Sequence, residues 1–371
     1  MESVEHVMPA ILDKYLHHNA NDLTKISEVL NQGQISGTAD IVGMYERALA
    51  HAFDAPFAIA VSSGSTAIQT AMLVLGAGPD SEVLVPALAP LPSVFPITLN
   101  GARLVPVDVR PNSLDFDPKD LKRKITPQTR AAMVVPLWGY PIDLTETLSI
   151  LANAGIPLVE DAAHAHGSRI ANQNVGTFGA IGCFSTHDRK LLSTGEGGFL
   201  LTKDAGLAER LQAHTRLGNL RGIEVGANYK LNALAAALGM ARLPDLSELI
   251  ASRQANATAI LNALQANSNI AELSIPRNGA PNYYNLTMLL RGRDGMDARQ
   301  ILEELNRAGI TIDQVKYGYD VFYRRAVYSS LNSACLNAES MINRLIQLPV
   351  HPSITQGDID RMITIIQTVE L

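Results

Sequence analysis

Short, unbroken apolar runs set the frame of this chain: Phe57-Ala58-Ile59-Ala60-Val61, Val83-Leu84-Val85, Leu104-Val105-Pro106-Val107, Ala132-Met133-Val134-Val135 and Pro157-Leu158-Val159. A strand with one wet face alternates apolar and polar residues. Runs without alternation are buried on both faces, as parallel strands under crossover helices are. The intervening segments are long enough for such crossovers. Within them the period changes. Ile68, Ala71, Met72 and Leu75 recur at helical spacing and Gly76 closes the pattern. A second helical stretch covers 41–53, and an earlier one ends in Gly33 and Gly37. Two more apolar runs, Ile181-Gly182-Cys183-Phe184 and Phe199-Leu200-Leu201-Thr202, flank a polar loop that ends in glycines. The pattern predicts an α/β fold with a mostly parallel sheet sandwiched by helices.

A break falls near Leu243-Pro244-Asp245, after which a long helix runs to about 267. The expected division is an N-terminal arm and large domain over 1–244 and a small C-terminal α/β domain over 245–371. The small domain should hold a strand at Leu286 to Leu290, a helix opened by the Asp297-x-x-Gln300 capping box and a strand at Ile310-Thr311-Ile312. A last helix should start at Thr355-x-x-Asp358, with Ile359, Met362, Ile363 and Ile366 on one face.

In open sheets of this kind ligands sit at the carboxyl ends of strands. The first apolar run leads straight into Ser62-Ser63-Gly64-Ser65-Thr66-Ala67 and a helix. Free N–H groups of a first helical turn and adjacent hydroxyls make an anion cradle, although a plain Ser/Thr cap reads the same way. No G-x-G-x-x-G or Walker-type motif occurs there, so neither a dinucleotide site nor a P-loop is indicated. The run at 157–159 ends in Glu160-Asp161-Ala162-Ala163-His164. A carboxylate at a buried strand end is costly without a cation or strong donor. It is either a structural cap or an acid that keeps a heterocyclic nitrogen protonated. The loop after 181–184 carries Lys190. That is either a surface lysine on a glycine-rich hairpin or an amine buried and positioned to condense with an aldehyde. Phosphate cradle, ring-nitrogen acid and imine-forming lysine together are the handles of pyridoxal 5′-phosphate.

Composition narrows the remainder. The chain has 371 residues, 47% hydrophobic, 18% charged, with net charge −6. That balance gives no electrostatic case for nucleic acid or anionic membrane, and the low charge favours an oligomer. Only Cys183 and Cys335 are present, so neither a disulfide framework nor a thiolate metal site is built. With no signal segment and no apolar run near membrane-spanning length, a cytoplasmic protein is expected. His6, His17 and His18 have no neighbouring carboxylate or cysteine pattern that would make a metal site.

Over nearly its whole length the sequence resembles the DegT/StrS family of PLP-dependent sugar aminotransferases of fold type I. The matching segments are Ser63-Gly64-Ser65-Thr66-Ala67, Val85-Pro86-Ala87, 101–108, Trp138-Gly139-Tyr140-Pro141-Ile142-Asp143, 160–167, and Phe184-Ser185 through Lys190 to Gly195-Glu196-Gly197-Gly198. Further matches are Gly226-Ala227-Asn228-Tyr229-Lys230-Leu231 and Leu348-Pro349-Val350-His351-Pro352. The resemblance makes Lys190 the residue bonded to the cofactor aldehyde and Asp161 the partner of the pyridine nitrogen. It places His164 near the phenolic oxygen, Gly64, Ser65, Thr66 and Ser185 around the phosphate, and Asn228 on the cofactor of a neighbouring subunit in a homodimer. His351, in the last of these segments, reads as structural and not catalytic. The resemblance implies glutamate or glutamine as amino donor and a keto-sugar, nucleotide-linked keto-sugar or keto-cyclitol as acceptor.

The chain departs from the pattern in two places. Pro90 stands where relatives stack an aromatic on the pyridine face, and Pro136 stands where they have a histidine. The first departure keeps open elimination or carbon–carbon bond formation on the same scaffold, and a PLP-holding sensor without turnover is the reading from another class. Retention of Lys190 disfavours the relatives that carry histidine there and dehydrate. By position, Gln34, Ile35, His187, Arg189, Tyr229 and Tyr317 are expected to line the substrate site.

Overall fold

The computed structural model describes residues 10–291 and 298–368. The apolar runs form a seven-stranded sheet with strands β1 Phe57–Val61, β2 Glu82–Pro86, β3 Arg103–Val107, β4 Thr129–Val134 and β5 Leu158–Asp161. After a small hairpin, β6 Arg169–Ile170 and β7 Gln173–Asn174, come β8 Ile181–Ser185 and β9 Gly198–Thr202. The sheet order is β1-β9-β8-β5-β4-β2-β3, and only β9 runs antiparallel to its neighbours. Every residue of β2, β5 and β9 is buried, as unalternating runs require.

A second, antiparallel sheet joins β10 Ile270–Glu272, β12 Leu286–Leu290 and β13 Leu345–Leu348, while β11 Gly279–Ala280 pairs with the small hairpin. The strand expected at 310–312 does not form. Ile310 makes a single bridge to Ile11, and the chain turns at once into the helix Asp313–Tyr317. The third strand of that sheet is β13 instead. Asp297 of the expected capping box lies outside the described residues, and the following helix, Arg299–Arg307, begins without a side-chain cap. The final helix covers Gln356–Thr368, with Thr355 and Asp358 exchanging hydrogen bonds at its start.

The N-terminal segment is a strap in extended form. From Ile11 to Asn19 the odd residues turn inward and the even ones are exposed. Ile11 bridges Ile310, Asp13 reaches Arg189, Tyr15 stacks on His351 at 5.6 Å, and His17 pairs with Asp245 at 2.6 Å. His351 accepts this structural role fully, since its Nε2 meets the Leu12 carbonyl oxygen at 2.7 Å. The strap therefore ties the start of the chain to both the lysine loop and the C-terminal sheet.

Candidate active site

The carboxyl ends of β1, β2, β4, β5 and β8 converge on one cavity of about 520 Å³. Where β1 ends, Ser63 caps the helix Gly64–Val74. Its hydroxyl accepts from the Thr66 N–H at 3.1 Å, and Thr66 Oγ1 accepts from the Ser63 N–H at 3.0 Å. The Ser/Thr cap of this turn is present. The cap consumes Thr66, which does not line the cavity, and leaves the first-turn N–H groups of Gly64 and Ser65 at its floor.

Ser185, at the end of β8, closes this cradle. A Cβ placed on Gly64 would lie 2.7 Å from Ser185 Cβ, and one on Gly198 would lie 2.7 Å from the Ser63 carbonyl carbon. The glycines are bare because strand and helix meet at backbone distance. Filling the cradle tests its purpose. Gly64→Ala is expected to weaken pyridoxal phosphate binding about 10- to 100-fold, the effect of an overpacked methyl, read by absorbance titration of apo-protein.

Asp161 ends β5 and is 4% exposed. Burial pushes its carboxyl up, against the Ser93 hydroxyl and the Ala163 N–H (3.2 Å), which donate to it, and the Lys190 charge. Its neighbour Glu160 points the other way and accepts three backbone N–H bonds, each 2.7 Å, from Gly176, Phe178 and Gly179. Glu160 is thus the structural acid of this pair. Asp161 is left facing the cavity with one hydroxyl and one amide.

The loop between β8 and β9 does form a hairpin, but not a free one. Thr186 and Thr194 share a hydroxyl bond of 2.6 Å, the Thr194 N–H meets the Thr186 carbonyl at 2.8 Å, and Leu191 and Leu192 are buried. Arg242 holds the Ser193 carbonyl at 3.0 Å. This folding-back turns Lys190 into the cavity, with Nζ 5.1 Å from the Tyr284 ring centre. Burial pushes its ammonium down to about 8, although Asp161 and Asp313 favour the charge, and Arg189 adds to the depression. A lowered lysine is neutral above its own pKa. Covalent capture of pyridoxal phosphate by apo-protein should therefore speed up tenfold per pH unit below about 8 and level off above it. An ordinary lysine would keep climbing to about 10.4. Stopped-flow absorbance across pH 6.5–10 decides between them.

His164 lies flat on Tyr284, ring centres 4.2 Å apart and planes 6° apart. Burial, reinforced by the Lys190 charge, holds the imidazole well below its ordinary pKa, so it is neutral. Its Nδ1 accepts from the Trp138 N–H at 3.3 Å, which places the ring proton on Nε2 as a donor. Pro90 lines the cavity with Leu88, Ala89 and Leu91 as an aliphatic surface. Aromatic area comes instead from Tyr284, Trp138, Tyr319 and Phe322.

Of the expected site residues, the fold brings Gly64, Ser65, Asp161, His164, Ser185 and Lys190 to this cavity, together with His187, Arg189 and Tyr317. Gln34, Ile35 and Tyr229 do not line it, and Tyr229 instead bonds Gln69 at 2.8 Å. Asn228 is exposed outside it and accepts from Lys230. It caps no helix, for Asn232 caps Ala233–Arg242.

Sequence reasoning missed Ser93, Tyr284, Asp313 and Asp13. Only Ser93 carried a local signal. Pro90 and Pro92 mark a helix start, which puts Ser93 in the first turn of Leu91–Leu99.

A buried lysine with a depressed pKa, a buried acid and a helix N-terminus fronted by a serine, gathered in one cavity at the carboxyl edge of a largely parallel sheet, are the site of a fold-type-I pyridoxal phosphate enzyme. The model of the DegT/DnrJ/EryC1/StrS aminotransferase family matches residues 17–367. The chain is similar to the GDP-perosamine synthase of Caulobacter vibrioides, 28% identical over 95% of this chain and 96% of that one. It is 35% identical to the L-glutamine:2-deoxy-scyllo-inosose aminotransferase of Micromonospora echinospora, over 71% of this chain and 67% of that one. The sugar aminotransferase CalS13 from Micromonospora echinospora superposes with a TM-score of 0.88 at 26% identity, covering 97% of this chain and 100% of that one. The chain belongs to the DegT/DnrJ/EryC1/StrS family and is a pyridoxal phosphate-dependent aminotransferase.

Proposed function

We propose that the enzyme carries an amino group from glutamine or glutamate to the ketone of a sugar, nucleotide-linked sugar or cyclitol, in two half-reactions. The observation that supports this most is the placing of Lys190, its ammonium pushed down to about 8, in one cavity with the buried Asp161 and the Gly64–Ser185 cradle. The relatives named for perosamine and for an aminocyclitol support the acceptor class.

When bound, the cofactor supplies an aldehyde to hold amines and a ring to absorb electrons. The chain does the rest. The amides of Gly64 and Ser65 with the Ser185 hydroxyl hold the phosphate. Asp161, oriented by Ser93, keeps the ring nitrogen protonated. His164 would present its Nε2–H to the cofactor's phenolic oxygen, and the Lys190 amine would serve as the base that moves the proton of the substrate carbon. The aliphatic wall around Pro90 and the aromatic wall around Tyr284 exclude water from that transfer.

A homodimer completes the site in this reading, with Asn228 of each subunit reaching its partner's cofactor phosphate. The arm and large domain would cover 1–244 and the small domain 245–371. The buried free thiols of Cys183 and Cys335 fit a cytoplasmic setting.

Two measurements test the proposal. Loaded enzyme mixed with L-glutamine or L-glutamate should lose its yellow absorbance and release one 2-oxo acid per site, then regain colour with a keto-sugar or keto-cyclitol. No bleaching with either donor would sink the donor assignment. For the dimer, mixing inactive Lys190→Ala and Asn228→Ala proteins should restore activity, because hybrids hold one intact site. No recovery would place Asn228 outside the partner's site.

A further inference from the structure

We propose that Arg189 receives the α-carboxylate of the amino-acid substrate, and that Asp13 and Asp313 hold its guanidinium until that carboxylate displaces Asp313. This rests on the aminotransferase reading and says which residue selects α-amino acids as donors.

The first ground is position. The donor's amino group must reach the atom that Lys190 holds, and its carboxylate is one carbon farther on. The receptor for that anion therefore has to stand beside Lys190. Among the described residues lining the cavity the lysines and arginines are Arg189, Lys190 and Arg325. Lys190 is taken by the chemistry. Arg325 is turned to the Gly318 carbonyl. Arg189 adjoins Lys190 in sequence, and its charge is felt by Lys190, His164 and Tyr284 alike.

The second ground is how Arg189 is occupied. It is 13% exposed, and a single nitrogen, Nη2, carries both acids: Asp13 from the N-terminal strap and Asp313 from the helix Asp313–Tyr317. Nη1 takes the Tyr317 hydroxyl at 3.0 Å. Each aspartate uses one oxygen, so neither exploits the planar fork that a guanidinium offers a carboxylate. A substrate carboxylate can take both prongs. Two buried acids on one nitrogen also repel each other, so the resting arrangement is one that an incoming anion can better.

Charge accounting supports the exchange. The groups facing the cluster are Asp13 from the strap, Arg189 and Lys190 from the loop, Lys316 (3.9 Å from Asp13) and Tyr317 from the short helix, with Tyr284, Asn285 and Tyr319 around them. Burial and the hydrogen-bonded Asp13 push Asp313 up to about 7, while Asp13 stays low through its bonds and its two cations. When a substrate carboxylate arrives, Asp313 leaves Arg189 and takes a proton from water. One negative charge enters, one is neutralised, and the cavity's net charge is unchanged.

Calorimetric binding of 2-oxoglutarate to loaded enzyme at pH 8, in two buffers of different ionisation enthalpy, reads both halves of the idea. Wild type should take up close to one proton per molecule bound. Asp313→Asn should bind at least as tightly with no uptake. Arg189→Gln should bind at least about 30-fold more weakly, and its donor half-reaction should need correspondingly more L-glutamine or L-glutamate to half-saturate. Unchanged affinity in Arg189→Gln, or proton uptake that persists in Asp313→Asn, overturns the proposal. The second variant keeps Arg189, so the test stands even where Arg189→Gln does not fold. Bleaching by the donor in wild type separates this outcome from failure of the aminotransferase reading itself.

Discussion

Lys190→Ala protein is expected to retain its fold and to bind cofactor non-covalently, while turnover falls on the order of 10⁴-fold. Two separate losses combine in this number. The covalent anchor disappears, and so does the amine that moves the substrate's proton. The fold should tolerate the change because Lys190 forms no ion pair among the described residues, and burial outweighs the support that Asp161 and Asp313 give its ammonium. A thermal melt within a few degrees of wild type, together with borohydride that no longer tags the protein, would complete the expected picture. A variant turning over at the parent's rate, or a tag on another residue of the native protein, removes the basis of the site.

Asp161→Asn ranks second, with turnover expected to fall about 10²- to 10³-fold, the scale for losing one preorganised electrostatic partner in a dry site. An amide matches the carboxylate in shape: its oxygen can keep the Ala163 N–H bond while its NH2 group donates to the Ser93 hydroxyl, so packing survives. What goes is the charge that keeps the ring nitrogen protonated. Ser93→Ala should cost less, about tenfold, and move the acid limb of activity upward. Burial already raises Asp161, Ser93 opposes that rise, and removing the hydroxyl raises the carboxyl further. The active form is the carboxylate, so activity would then be lost at a higher pH as acid is added. A pH–rate profile checks the direction; a limb that moves downward, or a charge-independent Asp161→Asn, contradicts the assigned role.

The parallel strands were legible because burial on both faces writes itself as an unbroken apolar run. The run Val83 to Val85 falls inside β2, and Ala132 to Val134 falls inside β4, both parallel to their neighbours. The triplet at 310–312 carries the same composition and is no strand. Its only partner is Ile11, and a lone bridge is a matter of which segment lies alongside, which local composition does not record. β13 was overlooked for the converse reason, since Leu345-Ile346-Gln347-Leu348 is short and directly follows a helix.

What the residues alone placed at or just beyond strand ends is an acid at 161, an amine at 190 and a small turn at 63–66. Each is a local requirement of residue type at the end of a buried run, and local requirements survive in one dimension. Tertiary structure alone decided the surroundings that make those groups work. It turned Glu160 onto three amides and Asp161 onto Ser93, sixty-eight positions away, and laid Tyr284 against His164 and Lys190. It also gathered Asp13, Arg189 and Asp313 from the strap, the loop and a distant helix onto one guanidinium. Desolvation and pairing depend on which atoms are near in space, and only the closed fold brings them there.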